Sequence, residues 1–208
     1  MRFPDEYVTR MFFKEGLHRR TGRVLELGCG SGNNLLLFAG FGWDVVGLDN
    51  DPNSIADARH NLEGAGQLLL CDLEAGQFQA PGSPFDALLL PSVNYYIPRQ
   101  SFIGVLEQCR SLIRSDALFY IRSRLPEDWR CGRGTPEGPG AFRLTCAETG
   151  EQGLLNVFYS AHELSALIHE HFSQLRSPQQ LSVTYDNPQG GLVIRNADVV
   201  IWGRARTP

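Results

Sequence analysis

Cysteine is sparse. Five residues (Cys29, Cys71, Cys109, Cys131 and Cys146) in a chain of 208 form no close pair with metal-ligand spacing, which leaves neither a zinc motif nor a disulfide framework to infer. Lysine is almost missing, Lys14 being the only one among 19 basic residues. A net charge of -4 supplies no positive surplus of the kind that holds phosphate backbones, so no nucleic-acid partner is expected. No segment approaches the roughly 18 consecutive apolar residues of a membrane span, so no membrane partner is expected either. The opening Met1-Arg2-Phe3-Pro4-Asp5-Glu6 lacks the apolar centre of a secretory signal. Reduced thiols and a cytoplasmic location are the expectation. The histidines offer no metal set: His169 and His171 stand two apart on a helical pattern and point to different faces, and His162 falls in a first turn.

What is present is a βαβ rhythm. Short apolar runs at Val24–Leu27, Asp44–Leu48, Gln67–Cys71, Phe85–Leu90 and Ala117–Arg122 fit strands buried on both faces. Between them, Asp51-Pro52 has the form of an N-cap followed by proline at the first helical position, with Ile55, Ala58 and Leu62 on one face and a stop at Gly64. A second helix is predicted from about Pro98, its stripe formed by Phe102, Val105, Leu106, Cys109, Leu112 and Ile113. Ser160 and Glu163 have capping-box spacing ahead of Leu164, Leu167, Ile168 and Phe172. Two final strands, Leu181–Tyr185 and Asp198–Trp202, flank the turn-forming Asn187-Pro188-Gln189-Gly190-Gly191 and suit an antiparallel pair. The segment 125–156 breaks the rhythm with prolines and glycines and is expected to be an irregular substrate loop or lid. The arginines at 122, 124, 130, 133 and 143 are read as a solvated loop in preference to an anion site.

The most informative stretch is Glu26-Leu27-Gly28-Cys29-Gly30-Ser31-Gly32, placed between an apolar strand and an apolar helix. Glycine lets a ligand approach the main chain, so a strand, glycine turn and helix make a ligand-binding edge. A dinucleotide fingerprint needs its third glycine where this chain has Asn33, and Glu26 would repel a pyrophosphate while suiting a ligand with an ammonium or sulfonium charge. Downstream, Val45-Val46-Gly47-Leu48-Asp49 ends a strand on a carboxylate able to accept bonds from two ribose hydroxyls. Asn50 is placed to lie along an adenine, and Asp51 to cap its helix.

These residues resemble the class I S-adenosylmethionine-dependent methyltransferases, whose first motif is acidic-x-Gly-x-Gly-x-Gly. The resemblance runs through nearly the whole chain and is weakest over 125–156. It implies one α/β domain over 1–208, with a doubly wound, mostly parallel seven-stranded sheet, an antiparallel C-terminal strand pair and a cofactor-covering helix within 1–20. It implies S-adenosyl-L-methionine as cofactor, contacted by Glu26, Gly28, Cys29, Gly30 and Asn33 at the turn and by Asp49 and Asn50 beyond it. Asp72 would bond the adenine amino group under an apolar cover from Leu73, Pro91 would stand beside the methyl group, and Tyr7 or Arg10 near the methionine end. Catalytic residues are not legible; Tyr95, Tyr96 and Arg124 are candidates for acceptor contact, and Arg122 with Arg124 for gripping an anionic acceptor. The run from Pro91 to Tyr96 has no Asn-Pro-Pro-aromatic set and no Pro-Cys pair, so chemistry on DNA bases is not expected. The expected acceptor is a small or sugar-like molecule methylated on oxygen or nitrogen. Alternatives are a non-catalytic cofactor-binding regulator and a nicotinamide dehydrogenase, the latter disfavoured by Asn33 and by the lack of a Tyr-x-x-x-Lys pair. Oligomeric state is left open.

Overall fold

Successive side chains of a strand point to opposite faces, so a strand apolar at every position needs cover on both sides. The computed structural model, which describes residues 3–172, 175–189 and 191–205, supplies that cover. In β1 (Arg23–Leu27), Val24 packs with a cluster containing Met11, Phe12, Phe38 and Ile55, whereas its neighbours Leu25 and Leu27 pack with Phe102, Leu106, Ile168 and Phe172. One face of the sheet is thus covered by α1 (Glu6–Lys14), α2 (Asn33–Gly40) and α3 (Pro52–Asn61), the other by α4 (Arg99–Leu112) and α5 (Ala161–Phe172).

The remaining strands of this sheet are β2 (Asp44–Asp49), β3 (Gln67–Leu70), β4 (Phe85–Pro91), β5 (Ile113–Arg124), β9 (Arg176–Gln189) and β10 (Leu192–Arg204). Their order is β3-β2-β1-β4-β5-β10-β9. The first five are mutually parallel; β10 runs antiparallel to both β5 and β9. This is the expected doubly wound, mostly parallel seven-stranded architecture. Strand order reverses between β1 and β4, and in such sheets the crevice beyond the carboxyl ends at the reversal is where ligands bind.

The caps follow the local chemistry. Asp51 accepts from the main-chain N–H of Asn53 (3.1 Å) and Ser54 (3.0 Å) ahead of Pro52, and Asp5 does the same for Tyr7 (2.7 Å) and Val8 (3.1 Å). At α5, Ser160 Oγ accepts from the Glu163 N–H (3.2 Å), but the return half of the capping box is absent because Arg99 pairs with the Glu163 carboxylate.

Two expectations change. Segment 125–156 is not irregular throughout: β6 (Gly134–Gly138), β7 (Ala141–Leu144) and β8 (Leu155–Val157) form a small antiparallel sheet in the order β6-β7-β8. Pro136 and two glycines in β6 hide the strand signal, since both residue types weaken strand patterns and confine them to edges. The C-terminal strands also run well past the expected limits, with pairing that continues to Leu192 opposite Gln189 and leaves only two residues between them. Gly190, within the predicted turn, lies outside the described residues.

Candidate functional site

The turn after β1 is held from below. The N–H groups of Gly28 and Cys29 both donate to the Leu48 carbonyl of β2, at 2.8 and 3.0 Å. Gly28 has φ +68°, and a Cβ there would come within 2.6 Å of Val93 Cγ2, so no other residue fits. At Gly30 (φ +51°) a Cβ would meet nothing within 4 Å, which leaves open space against bare peptide. The Gly30 N–H donates to Asp49 Oδ2 (2.8 Å) and the Asp51 N–H to Asp49 Oδ1 (3.0 Å), so the carboxylate closing β2 is oriented before any ligand arrives.

Beside this turn lies a cavity of about 610 Å³. Of the sequence-predicted residues, it brings together Gly28, Asp49, Asn50, Asp72, Leu73 and Tyr96. Asp72 also caps a short 3₁₀ turn, accepting from the Glu74 N–H at 2.9 Å. The wall opposite comes from residues not assigned to the site from sequence: Ser92, Val93, Ile97 and Pro98 after β4, Leu154 and Leu155 at the start of β8, and Arg143 of β7, expected in a solvated loop. Ser92 holds φ +68°, an uncommon conformation for a residue with a side chain and one that clusters at functional sites.

Glu26 does not border the cavity. It is 1% exposed, and its Oε1 accepts from Asn34 Nδ2 at 2.7 Å while Oε2 is buried with no partner. Burial pushes its carboxyl up to about 8; the Asn34 bond opposes this, and nearby Asp5 and Asp49 add to it. A buried carboxyl oxygen with no donor is a costly arrangement; protonation lowers that cost in the free protein, and a neighbouring cation would favour the charged form instead.

Comparison with known proteins agrees with this geometry. Residues 24–116 match the family model described as "Methyltransferase domain". A solved structure of an S-adenosylmethionine-dependent methyltransferase from Methanosarcina mazei superposes with a TM-score of 0.71 at 18% identity, covering 90% of this chain and 94% of that one. The chain has the class I methyltransferase fold. Two curated relatives are the 18S rRNA (guanine-N(7))-methyltransferase of Schizosaccharomyces pombe, 38% identical over 66 residues, and the 23S rRNA (uracil(1939)-C(5))-methyltransferase of Xanthomonas euvesicatoria, 32% identical over 155 residues. These matches cover 32% and 71% of this chain but span only 24% and 32% of the two relatives.

Within this methyltransferase fold several sequence assignments need correction. Cys29 cannot offer its thiol: the side chain lies against β2, where a Cβ on Gly47 would be 2.7 Å from Cys29 Sγ, and burial with the Glu26 and Asp49 charges pushes the thiol far up. Its N–H and carbonyl are both bound within the turn, the carbonyl by the Gly32 N–H at 2.9 Å, so Cys29 builds the edge. Gly30, Asn33 and Pro91 stand next to the cavity in sequence without bordering it; Pro91 pairs opposite Arg122, and Asn33 Oδ1 is buried without a partner. Tyr7 is also away from the cavity, its ring 5.5 Å beneath the Arg122 guanidinium, and Arg10 is exposed.

The arginine reading divides. Arg133 and Arg143 are exposed, but only Arg133 lies in a loop; Arg143 stands in β7, pairs with Glu137 and borders the cavity. Arg122, Arg124 and Arg130 are not: Arg122 binds Asp5 (2.6 Å) and Asp198 (2.6 Å), Arg124 binds Glu151 (2.8 Å) and the Asn156 side chain, and Arg130 binds Glu151 and Asp128 (3.0 Å). With their charges already neutralised, Arg122 and Arg124 do not form an anion grip. Tyr95 is buried under Arg124, whose guanidinium lies 4.3 Å from the ring, and does not border the cavity. Tyr96 does, and its hydroxyl donates to Glu151 Oε1 at 2.5 Å.

Among the described residues no helix is long and apolar enough to cross a membrane, and no group of three or more His, Cys, Asp or Glu is arranged to hold a metal.

Proposed function

We infer that the chain transfers a methyl group from S-adenosylmethionine to an oxygen or nitrogen of a small acceptor. The observation that carries this reading is the pair of carboxylates at the glycine turn: Asp49 preset by two main-chain N–H groups, and Glu26 buried with an oxygen awaiting a donor. The cofactor fits that donor set in a way a pyrophosphate would not, because it brings an ammonium and a sulfonium where a dinucleotide brings two negative phosphates. When bound, it supplies a methyl group activated by the positive sulfur.

The chain's own work is orientation. Asp49 accepts the ribose hydroxyls, Asp72 and Leu73 hold the adenine, and Glu26 takes the ammonium. Alignment of reacting atoms about 3 to 3.5 Å apart supplies roughly 7 to 11 kcal/mol, enough that no conspicuous catalytic base is required. Tyr96 acts as a hydrogen-bond donor, since burial drives its hydroxyl far above the ordinary range and the bond to the Glu151 carboxylate adds to this, while Arg124 opposes it.

The cavity also favours the acceptor class. Asp49, Asp51, Asp72 and Glu74 border it against the single Arg143, which suits neutral or cationic molecules and repels a phosphate backbone. An RNA acceptor is the second reading, favoured by the names of the two curated relatives. Incubation with labelled cofactor and either a metabolite extract or total RNA separates the two by where the label goes; no transfer to either would point to a non-catalytic regulator.

The cofactor reading is tested by calorimetry with S-adenosylhomocysteine, with NAD as control. Asp49→Ala is expected to weaken S-adenosylhomocysteine binding roughly 10- to 100-fold, the loss of one or two hydrogen bonds to a charged acceptor. Unchanged affinity would remove Asp49 from the site, and tighter binding of NAD than of S-adenosylhomocysteine would overturn the cofactor.

A further inference from the structure

Asn34 is the only partner Glu26 has among the described side chains, and it faces two ways. Its Nδ2 donates to Glu26 Oε1 at 2.7 Å, and its Oδ1 accepts from the main-chain N–H of Asp5 at 2.8 Å. A carboxyl oxygen on one side and an N–H on the other permit one orientation of the amide. Asp5 in turn is the point at which α1 is fastened. Its side chain caps the helix through Tyr7 and Val8, pairs with Arg122 Nη1 at 2.6 Å and receives the Tyr120 hydroxyl at 3.4 Å. The unpartnered Glu26 Oε2 is therefore two hydrogen bonds away from the anchor of the N-terminal helix.

We propose that Asn34 is a positioning residue that couples a ligand ammonium at Glu26 to the docking of α1, so that an amino-acid-tailed nucleoside tightens the helix and a nucleoside without that tail does not. This rests on the cofactor reading given above. The physical link is polarisation. A cation at Oε2 favours the charged carboxylate, a charged carboxylate is a stronger acceptor for Nδ2, and a polarised amide binds the Asp5 N–H more firmly through Oδ1. The groups facing Glu26 are Asp5 from the segment before α1, Asp49 from the end of β2, Asn34 from α2 and the buried, un-ionised Cys29 thiol of the glycine turn. Burial, with a smaller addition from the two carboxylates, disfavours its ionisation in the free protein, so the coupling also predicts that a proton leaves Glu26 when the ammonium arrives.

Two probes differ only in the tail: S-adenosylhomocysteine carries the amino acid, and 5′-methylthioadenosine is the corresponding nucleoside thioether without it. Hydrogen exchange at the main-chain amides of Asp5, Tyr7 and Val8 is expected to slow about tenfold with the first probe and not with the second, a change of the size one hydrogen bond brings. In Asn34→Leu, S-adenosylhomocysteine should still bind but no longer slow those amides. Calorimetry near pH 7 in two buffers of different ionisation enthalpy should show proton release from the wild type and none from Glu26→Gln. Equal slowing by both probes, slowing that persists in Asn34→Leu, or no proton release from the wild type would each overturn the relay. The two-probe comparison and the proton count use the wild type alone, so they decide the matter even if Asn34→Leu fails to fold. Failure of both probes to bind would instead remove the cofactor reading, and the relay with it.

Discussion

Two buried glutamates on the same edge of the sheet meet opposite fates. Glu151, in the segment after β5, has Arg124, Arg130 and the Tyr96 hydroxyl around its carboxylate. Burial pushes it up, but Arg124, Tyr96 and Arg130 together outweigh burial and hold it below the usual carboxylate range. Glu26, after which the glycine turn begins, has one neutral amide and no cation, and burial pushes it up to about 8. The first arrangement is complete as folded and serves to bolt the small sheet β6-β7-β8 onto β5. The second is incomplete as folded: a buried carboxyl with an unpartnered oxygen and no cation beside it, which the ammonium proposed above would complete. The difference separates structural from ligand-directed polar groups where residue type alone does not.

The largest effect should come from breaking the complete side. Glu151→Ala leaves Arg124 and Arg130 buried without the carboxylate they share, and loss of one partner from a buried ion-pair network costs about 3–5 kcal/mol. Urea unfolding should show that loss, whereas Glu26→Gln should leave stability at pH 8 unchanged or raised. A cost below about 1 kcal/mol for Glu151→Ala, within the range of an exposed pair, would abolish the contrast.

A subtler test is the sign of the pH dependence. Glu26 is raised from an ordinary value of 4.5 to about 8, so the folded state binds more protons than the unfolded state between those values and stability falls as pH rises through that window. Glu151 is lowered below 4.5, so its contribution is present above that value and is lost as pH falls through the lower, folded-state value. Every tenfold difference in proton affinity between the folded and unfolded states is worth about 1.4 kcal/mol. Chemical denaturation of the ligand-free protein from pH 4 to 9 should show the alkaline decline vanish in Glu26→Gln and the acid decline lessen in Glu151→Gln. A Glu26→Gln profile parallel to the wild type would mean that Glu26 is not the unmet group.

The same contrast explains what the sequence revealed. The five parallel strands and their helices were legible because burial on both faces forces apolar runs, and caps such as Asp51-Pro52 act on residues two or three away. The glycine turn was legible because close approach to backbone demands glycine. Glu26's environment was not, since its neighbours Asp5 and Asn34 are fixed only by the packing of α1 against α2, and nothing in their local spacing announces it. The arginines failed for the same reason. Arg130 finds Glu151 across 21 residues and Arg122 finds Asp5 across 117, so a local excess of positive charge looked solvated when three of the five side chains, Arg122, Arg124 and Arg130, sit in ion pairs away from water. Segment 125–156 was misread because its strands are short, β6 carries Pro136 and two glycines, and β7 and β8 are only four and three residues long, too short to show an alternation.

The smallest effect should come from an ion pair of good geometry at an exposed place. Arg195 Nε lies 3.0 Å from Asp186 Oδ1 across the β9-β10 hairpin, a spacing close to that of Arg124 to Glu151, but the two side chains are 60% and 45% exposed. Water already solvates both charges there, salt screens them, and holding two long side chains in one geometry costs entropy that offsets most of the attraction. Arg195→Ala is therefore expected to leave the urea midpoint unchanged within error, and to do so equally at low and high salt. If it lowered stability as much as Glu151→Ala, distance and not burial would decide what an ion pair contributes in this protein, and the inference that Glu26 is kept for a ligand because it is buried without a cation would lose its basis.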